Sequence, residues 1–280
     1  MLLWPASVYA LAAGCTLLIF GSVADLVGSK PVWLLGASLY IVFTIACGLA
    51  KTGLQLILFR TMLGIAIAMC LPSAVSITTK SFPRGKRRNV CFACMGMGQP
   101  IGYAVGLLFG GISVSTIGWR WGYYLSAIVN ATIVAGAIWG LPSEERRTVS
   151  WKSLITDIDW VGAVSLSTSL GLLSYVLAMV TASYTRMQDA QNIAILTIAL
   201  LLIPVFVLWM QRQERLGRPA IIPNGLWKKT AFTTVCVAVF LTWGTFNSTQ
   251  YLTTLYFQRV QGISALQASI RFVPMVSHIL

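Results

Sequence analysis

Long apolar runs alternate with short polar breaks along nearly the whole chain. The runs fall at roughly 6–23, 32–50, 54–78, 90–112, 121–141, 160–181, 192–210, 231–256 and 265–280. Most hold about 17–25 residues, the length that crosses ~30 Å of hydrocarbon at 1.5 Å per residue. Transmembrane strands would show as segments of about ten residues with alternating polarity, and no such pattern is seen. In lipid every backbone N–H and C=O must bond internally. The pattern therefore predicts an all-α membrane protein with nine spans, the last of them cut short at the end of the chain.

Composition agrees: 57% of the 280 residues are hydrophobic and 10% are charged, against roughly 25% charged in soluble domains. The net charge of +13 could point to nucleic acid, but its placement points to a bilayer. Alternate loops collect the basic residues: Lys30; then Lys80, Arg84, Lys86, Arg87 and Arg88; then Arg146, Arg147 and Lys152; then Arg212, Arg215, Arg218, Lys228 and Lys229. The opposite loops hold only Lys51, Arg120, Arg186 and Arg259. The basic side is cytoplasmic by the positive-inside rule, so the first span runs from outside to inside. The six cysteines all fall in apolar spans. Cys91-x-x-Cys94 lacks a second ligand pair, so metal and redox uses are not expected, and no cofactor is implied. Two sequons, at Asn130 and Asn247, lie inside spans, where glycosylation is not expected.

Three features carry candidate chemistry. Gly21 to Lys30 is a short polar stretch between the first two runs, with a carboxylate, Asp25, between Gly21 and Gly28. It reads as a tight charged turn at the cytoplasmic surface. Arg60 lies inside the third span, where an arginine costs about 2.5–3.5 kcal/mol on insertion scales. Gly64 is one turn on, on the same face, and allows another helix close to the guanidinium. That arrangement fits a buried cation concerned with protons or an anionic partner, or a structural arginine bonding a neighbouring helix. In the fourth span Gly98, Gly102, Gly106 and Gly110 recur every fourth residue, with Gly111 beside the last. Such glycines allow close packing in membranes, and Pro100 removes one backbone bond among them, which favours a kink. The stripe reads as a pivot or as plain tight packing.

In order, these features resemble the major facilitator superfamily, and within it the fourteen-helix drug:proton antiporters of fungi. Gly21, Asp25, Gly28 and Lys30 match the family's G-x-x-x-D-x-x-G-R-K cytoplasmic loop motif, with Ser29 in place of its arginine. Arg60-x-x-x-Gly64 is similar to the helix 4 motif linked to proton coupling. Gly102-x-x-x-Gly106-Leu107-x-x-Gly110-Gly111 resembles the helix 5 antiporter motif, with Leu107 in place of proline. Gly118-Trp119-Arg120-Trp121 resembles the entry to helix 6. Asp157-Ile158-Asp159-Trp160-Val161-Gly162 resembles the entry to helix 7, with Asp159 expected as a helix-start residue.

The resemblance implies family helices 2–10. Residues 1–141 would be an N-terminal half without its first helix, 142–229 an inserted helix pair with flanking loops, and 230–280 the start of the C-terminal half. It implies a multi-pass transporter in the plasma or vacuolar membrane, with no enzymatic activity. Its partners would be a small organic substrate, protons and the bilayer, without nucleic acid. The expected action is proton-coupled efflux of drugs, toxins or secondary metabolites. Arg60 and Gly64 would serve coupling, Gly21 to Lys30 the cytoplasmic gate, and the glycine helix a pivot. Leu107 leaves open a uniporter or importer of a small solute such as ammonium or borate. Truncation leaves open a membrane protein that does not transport. His278 and Arg271, on or near the last span, are further candidates for a cavity wall.

Overall fold

The computed structural model describes residues 4–142, 158–182, 187–264, 267–268 and 270–272. Within them the chain is helical: α1 (Trp4–Val27), α2 (Ser29–Leu49), α3 (Gly53–Ser81), α4 (Lys86–Thr116), α5 (Trp119–Gly140), α6 (Trp160–Ala182), α7 (Ala190–Arg215) and α8 (Thr230–Leu255), the last continuing as a π turn over Tyr256–Val260. Eight helices among the described residues are long and apolar enough to cross a membrane. Most of the ninth expected span, 265–280, lies outside the described residues, as do Arg146, Arg147, Lys152, Asp157, Arg186 and His278.

Several helices outrun their apolar runs. α4 begins at Lys86, so Lys86, Arg87 and Arg88 form its first turn, not a loop. α7 continues to Arg215. Hydropathy marks where the lipid ends. The backbone ladder can continue into water, and it stops only where a residue breaks it.

Gly28 is such a breaker. The expected turn over Gly21 to Lys30 shrinks to this one residue, because α1 runs through Val27 and α2 starts at Ser29. Gly28 has φ 111°, a value that L side chains rarely adopt. Its N–H bonds the Ala24 carbonyl at 3.1 Å, which closes the last turn of α1. Gly21 plays no part in the turn. It lies inside α1, where an added Cβ would come 3.6 Å from Pro72 Cβ.

The residues divide into two compact units, each drawn from two stretches of chain: Met1–Ser81 with Ser126–Asn224, and Phe82–Leu125 with Gly225–Leu280. In the first, α3 packs against α1 and α2, α6 against α7, and α1 against α6. Ala24, Val32 and Met69 form a buried cluster flanked by Phe20, Val23, Val27 and Leu39. Apolar burial does not drive helix association in lipid, so close backbone approach has to carry it. Gly36 supplies one such contact: a Cβ there would meet Met69 Cβ at 2.7 Å and the Ala66 carbonyl at 2.9 Å. Gly162 supplies another, under Asp159 and Met210. Serines bond across helices as well, Ser167 to the Cys15 carbonyl and Ser169 to the Ala199 carbonyl at 2.8 Å. In the second unit, Tyr103 on α4 meets Phe246 on α8 edge-on, with ring centroids 6.1 Å apart.

Both sequon asparagines are inside helices. Asn130 in α5 donates to the Ala37 carbonyl at 3.2 Å, and Asn247 in α8 donates to the Trp243 carbonyl at 2.8 Å.

These contacts separate two kinds of glycine. Gly36→Ala should lower the thermal midpoint of the detergent-solubilised protein, with a cost of about 1–3 kcal/mol from overpacking. Gly106→Ala meets nothing within 4 Å and should be neutral or raise stability by up to about 1 kcal/mol through helix propensity. Equal midpoints for the two variants would contradict this packing.

Candidate functional site

Two groups of polar residues stand out in the first unit. The first lies where α1 gives way to α2. Ser29 is fully buried, and its hydroxyl donates to Ser76 Oγ at 2.7 Å. Lys80, in the last turn of α3, donates from Nζ to Ser29 Oγ at 3.0 Å. Lys30 Nζ donates to the Leu141 carbonyl at 2.6 Å, just past the end of α5. Helix C-termini leave carbonyls without partners and carry partial negative charge, so a lysine there is stabilising. Asp25 is exposed on the last turn of α1 and forms no ion pair with another described residue. The structure thus brings Ser29 into contact with α3 and Lys30 into contact with the end of α5, with Gly28 as the break before them. Gly21 and Asp25 lie farther back on α1.

The second group is around Arg60, inside α3 and half-buried. Tyr9 on α1 and Tyr40 on α2 share a hydrogen bond, and the Arg60 charge lies near enough to act on both rings and on Cys47. Gly64, one turn on, is covered by α1. A Cβ there would run into the Tyr9 carbonyl oxygen, and would sit 2.8 Å from Ala12 Cβ and 3.0 Å from the Ala13 nitrogen. Gly64 therefore sets how near the backbone bearing Tyr9 comes to the helix bearing Arg60. The partners identified here are neutral phenols. Every Asp and Glu among the described residues lies at or near a helix end: Asp25, Asp159, Asp189 and Glu214. An arginine keeps its proton at any physiological pH, so Arg60 is a fixed positive charge.

The glycine stripe of α4 is placed differently. At Gly98, Gly102, Gly106 and Gly110 an added Cβ meets nothing within 4 Å among the described residues, whereas Gly111 is buried. Pro100 lies inside the unbroken helix. Asp159 starts α6 as expected: its Oδ1 accepts from the Gly162 N–H at 2.9 Å and from Trp209 Nε1 at 2.9 Å. Arg271 donates to Gln261 Oε1 at 2.5 Å and stacks over Phe257.

Sequence reasoning misses Tyr9, Tyr40 and Lys80. The tyrosines belong to different apolar runs and meet only through packing. Lys80 counts in the sequence as one more cytoplasmic charge, and no local pattern ties it to Ser29.

Eight membrane-length helices make up most of the described residues, and the family pattern of the Major Facilitator Superfamily matches over residues 1–278. The chain belongs to the Major Facilitator Superfamily. It is 50% identical to MFS-type transporter 1 of Pyricularia oryzae over 99% of this chain and 50% of that protein. It is 27% identical to Efflux pump apf11 of Gibberella fujikuroi over 98% of this chain and 49% of that protein. A Low affinity ammonium transporter of Saccharomyces cerevisiae is 25% identical over 97% of this chain and 52% of that protein. The chain spans about half the length of these relatives. Members of this superfamily are multi-pass membrane proteins that carry small solutes across bilayers; they are transporters, not enzymes.

The tyrosine pair provides a direct check on the Arg60 site. Tyr9→Phe and Tyr40→Phe should be non-additive in stability, with a coupling of about 0.5–1.5 kcal/mol for the shared hydrogen bond. Thermal unfolding of both single variants and the double variant in detergent measures it. Full additivity would mean that the bond contributes nothing.

Proposed function

We propose that this chain is part of a proton-coupled exporter of amphipathic organic compounds, of the fourteen-helix antiporter type. The observation that carries this reading is Arg60, a fixed cation inside α3 with two hydrogen-bonded tyrosines beside it and α1 closed over Gly64. In that role Arg60 tunes coupling by its field, and Gly64 lets α1 follow α3 as a tight pair. Gly21, Asp25, Gly28 and Lys30 form the cytoplasmic latch, with Gly28 as the break and Lys30 on the end of α5. Gly98, Gly102, Gly106, Gly110 and Gly111, with Pro100 among them, give α4 a face on which it can rock. The relative named Efflux pump apf11 supports the direction of transport.

The gene product that contains this chain, placed in proteoliposomes, should expel an amphipathic dye faster when a pH gradient is imposed. Arg60→Ala should reduce that gradient dependence on the order of five- to hundredfold, the usual range of coupling energies between two sites. Arg60→Lys, which keeps the charge, should retain most of it. Efflux indifferent to the gradient in the unaltered protein would sink the antiport reading.

The ammonium transporter among the relatives and Leu107 in the antiporter motif favour a second reading, uptake of a small solute. Leu107→Pro should then change exchange behaviour. Unchanged exchange would remove this argument.

A further inference from the structure

A half-open cavity of about 310 Å³ lies between α4 and α8 within the second unit. Gln99, Pro100 and Tyr103 line it from α4, and Thr242, Trp243, Phe246, Asn247 and Gln250 from α8. The spacings place each set on one helix face: 99 and 103 are one turn apart, and 243, 246, 247 and 250 follow the i, i+3, i+4, i+7 stripe. In a lipid-facing helix such a stripe would be apolar, but the α8 stripe carries two primary amides, Asn247 and Gln250, and Gln99 adds a third from α4.

The aromatic rings form the walls. Phe246 stands edge-on to Tyr103 and, with centroids 5.9 Å apart, to Trp243. The amides supply the polarity. Asn247 donates one of its two amide hydrogens to the Trp243 carbonyl, which leaves its oxygen to accept. Gln250 is only 6% exposed, lines the cavity, and makes no side-chain hydrogen bond with any described residue. A glutamine amide offers both a donor and an acceptor on one edge, which is the complement of another amide. Among the described residues no ionisable group other than the Tyr103 phenol lines the space, so the described lining favours an uncharged ligand. The volume is near the small end of ligand pockets and suits a fused bicyclic ring.

We propose that this cavity recognises uncharged, planar aromatic compounds bearing a lactam or carboxamide edge, with Gln250 reading that edge between the aromatic walls. The step from bound ligand to cargo rests on the export reading above. Pro100 forms part of the wall, so a bound ligand contacts α4 where its backbone ladder lacks a donor.

Equilibrium dialysis of the chain in detergent, without any gradient, tests the site with three probes of similar ring size: 2-quinolinone, naphthalene and N-methylquinolinium. 2-Quinolinone should bind saturably and more tightly than the other two. Gln250→Met should weaken 2-quinolinone about tenfold, in line with the loss of a buried hydrogen bond, and leave naphthalene within about twofold. Gln250→Asn, which withdraws the amide by one methylene, should act in the same direction and serves where Gln250→Met does not fold. Equal affinity for the three probes, tighter binding of the cation, or no effect of either substitution would overturn the proposal. Saturable, Gln250-dependent binding without gradient-driven movement would uphold the site and overturn the export reading. Gradient-driven dye efflux without 2-quinolinone binding would do the reverse.

Discussion

The absence of water around the helix backbones governs the rest of this structure. A peptide group in hydrocarbon has no partner except another peptide group or a nearby side chain. Helices therefore persist wherever the sequence permits, and interruptions shrink to the minimum. The link between α1 and α2 is the plainest case: a stretch containing Asp25, Ser29 and Lys30 could form a loop in water, yet only Gly28 leaves the helix. Small polar side chains obey the same rule. Ser22, Thr44, Thr61, Ser73 and Thr78 all turn back to carbonyls four residues earlier in their own helices.

The same constraint explains how the helices of the first unit associate. Large apolar side chains such as Trp139, 90% exposed, face outward, where lipid accepts them. Specific contact then depends on where one backbone can reach another. Gly36 and Gly64 each let a neighbour come so near that a single methyl would collide. Because α3 carries Gly64 and its backbone meets Gly36 of α2, it holds both α1 and α2 at fixed depth. Tyr9 and Tyr40 are thereby brought together beside Arg60.

The spans are legible in the sequence because hydropathy is set by the bilayer itself, residue by residue. Helix ends are less legible, since α4 and α7 continue past the apolar boundary on charged residues that form good helix. The meaning of a glycine is less legible still. Gly64 and Gly106 look alike as small residues at helical spacing. One is pressed under α1 and the other meets nothing within 4 Å, and only the position of a partner helix tells them apart. Tyr9 and Tyr40 escape notice for the same reason, being ordinary residues until packing brings them together. The face holding Gln99, Trp243, Asn247 and Gln250 was readable in principle as amides and rings at helical spacing inside apolar spans, but motif matching passes over it.

The two groups of chemistry differ in kind. Arg60 sets a guanidinium inside α3 beside two phenols, while every described carboxylate lies at or near a helix end. The described lining of the α4–α8 cavity is built from rings, amides and a hydroxyl. A charge acts over distance, whereas an amide acts only on a group that meets it edge to edge. On the reading proposed above, the first group would therefore serve coupling through its field, and the second would serve recognition through contact.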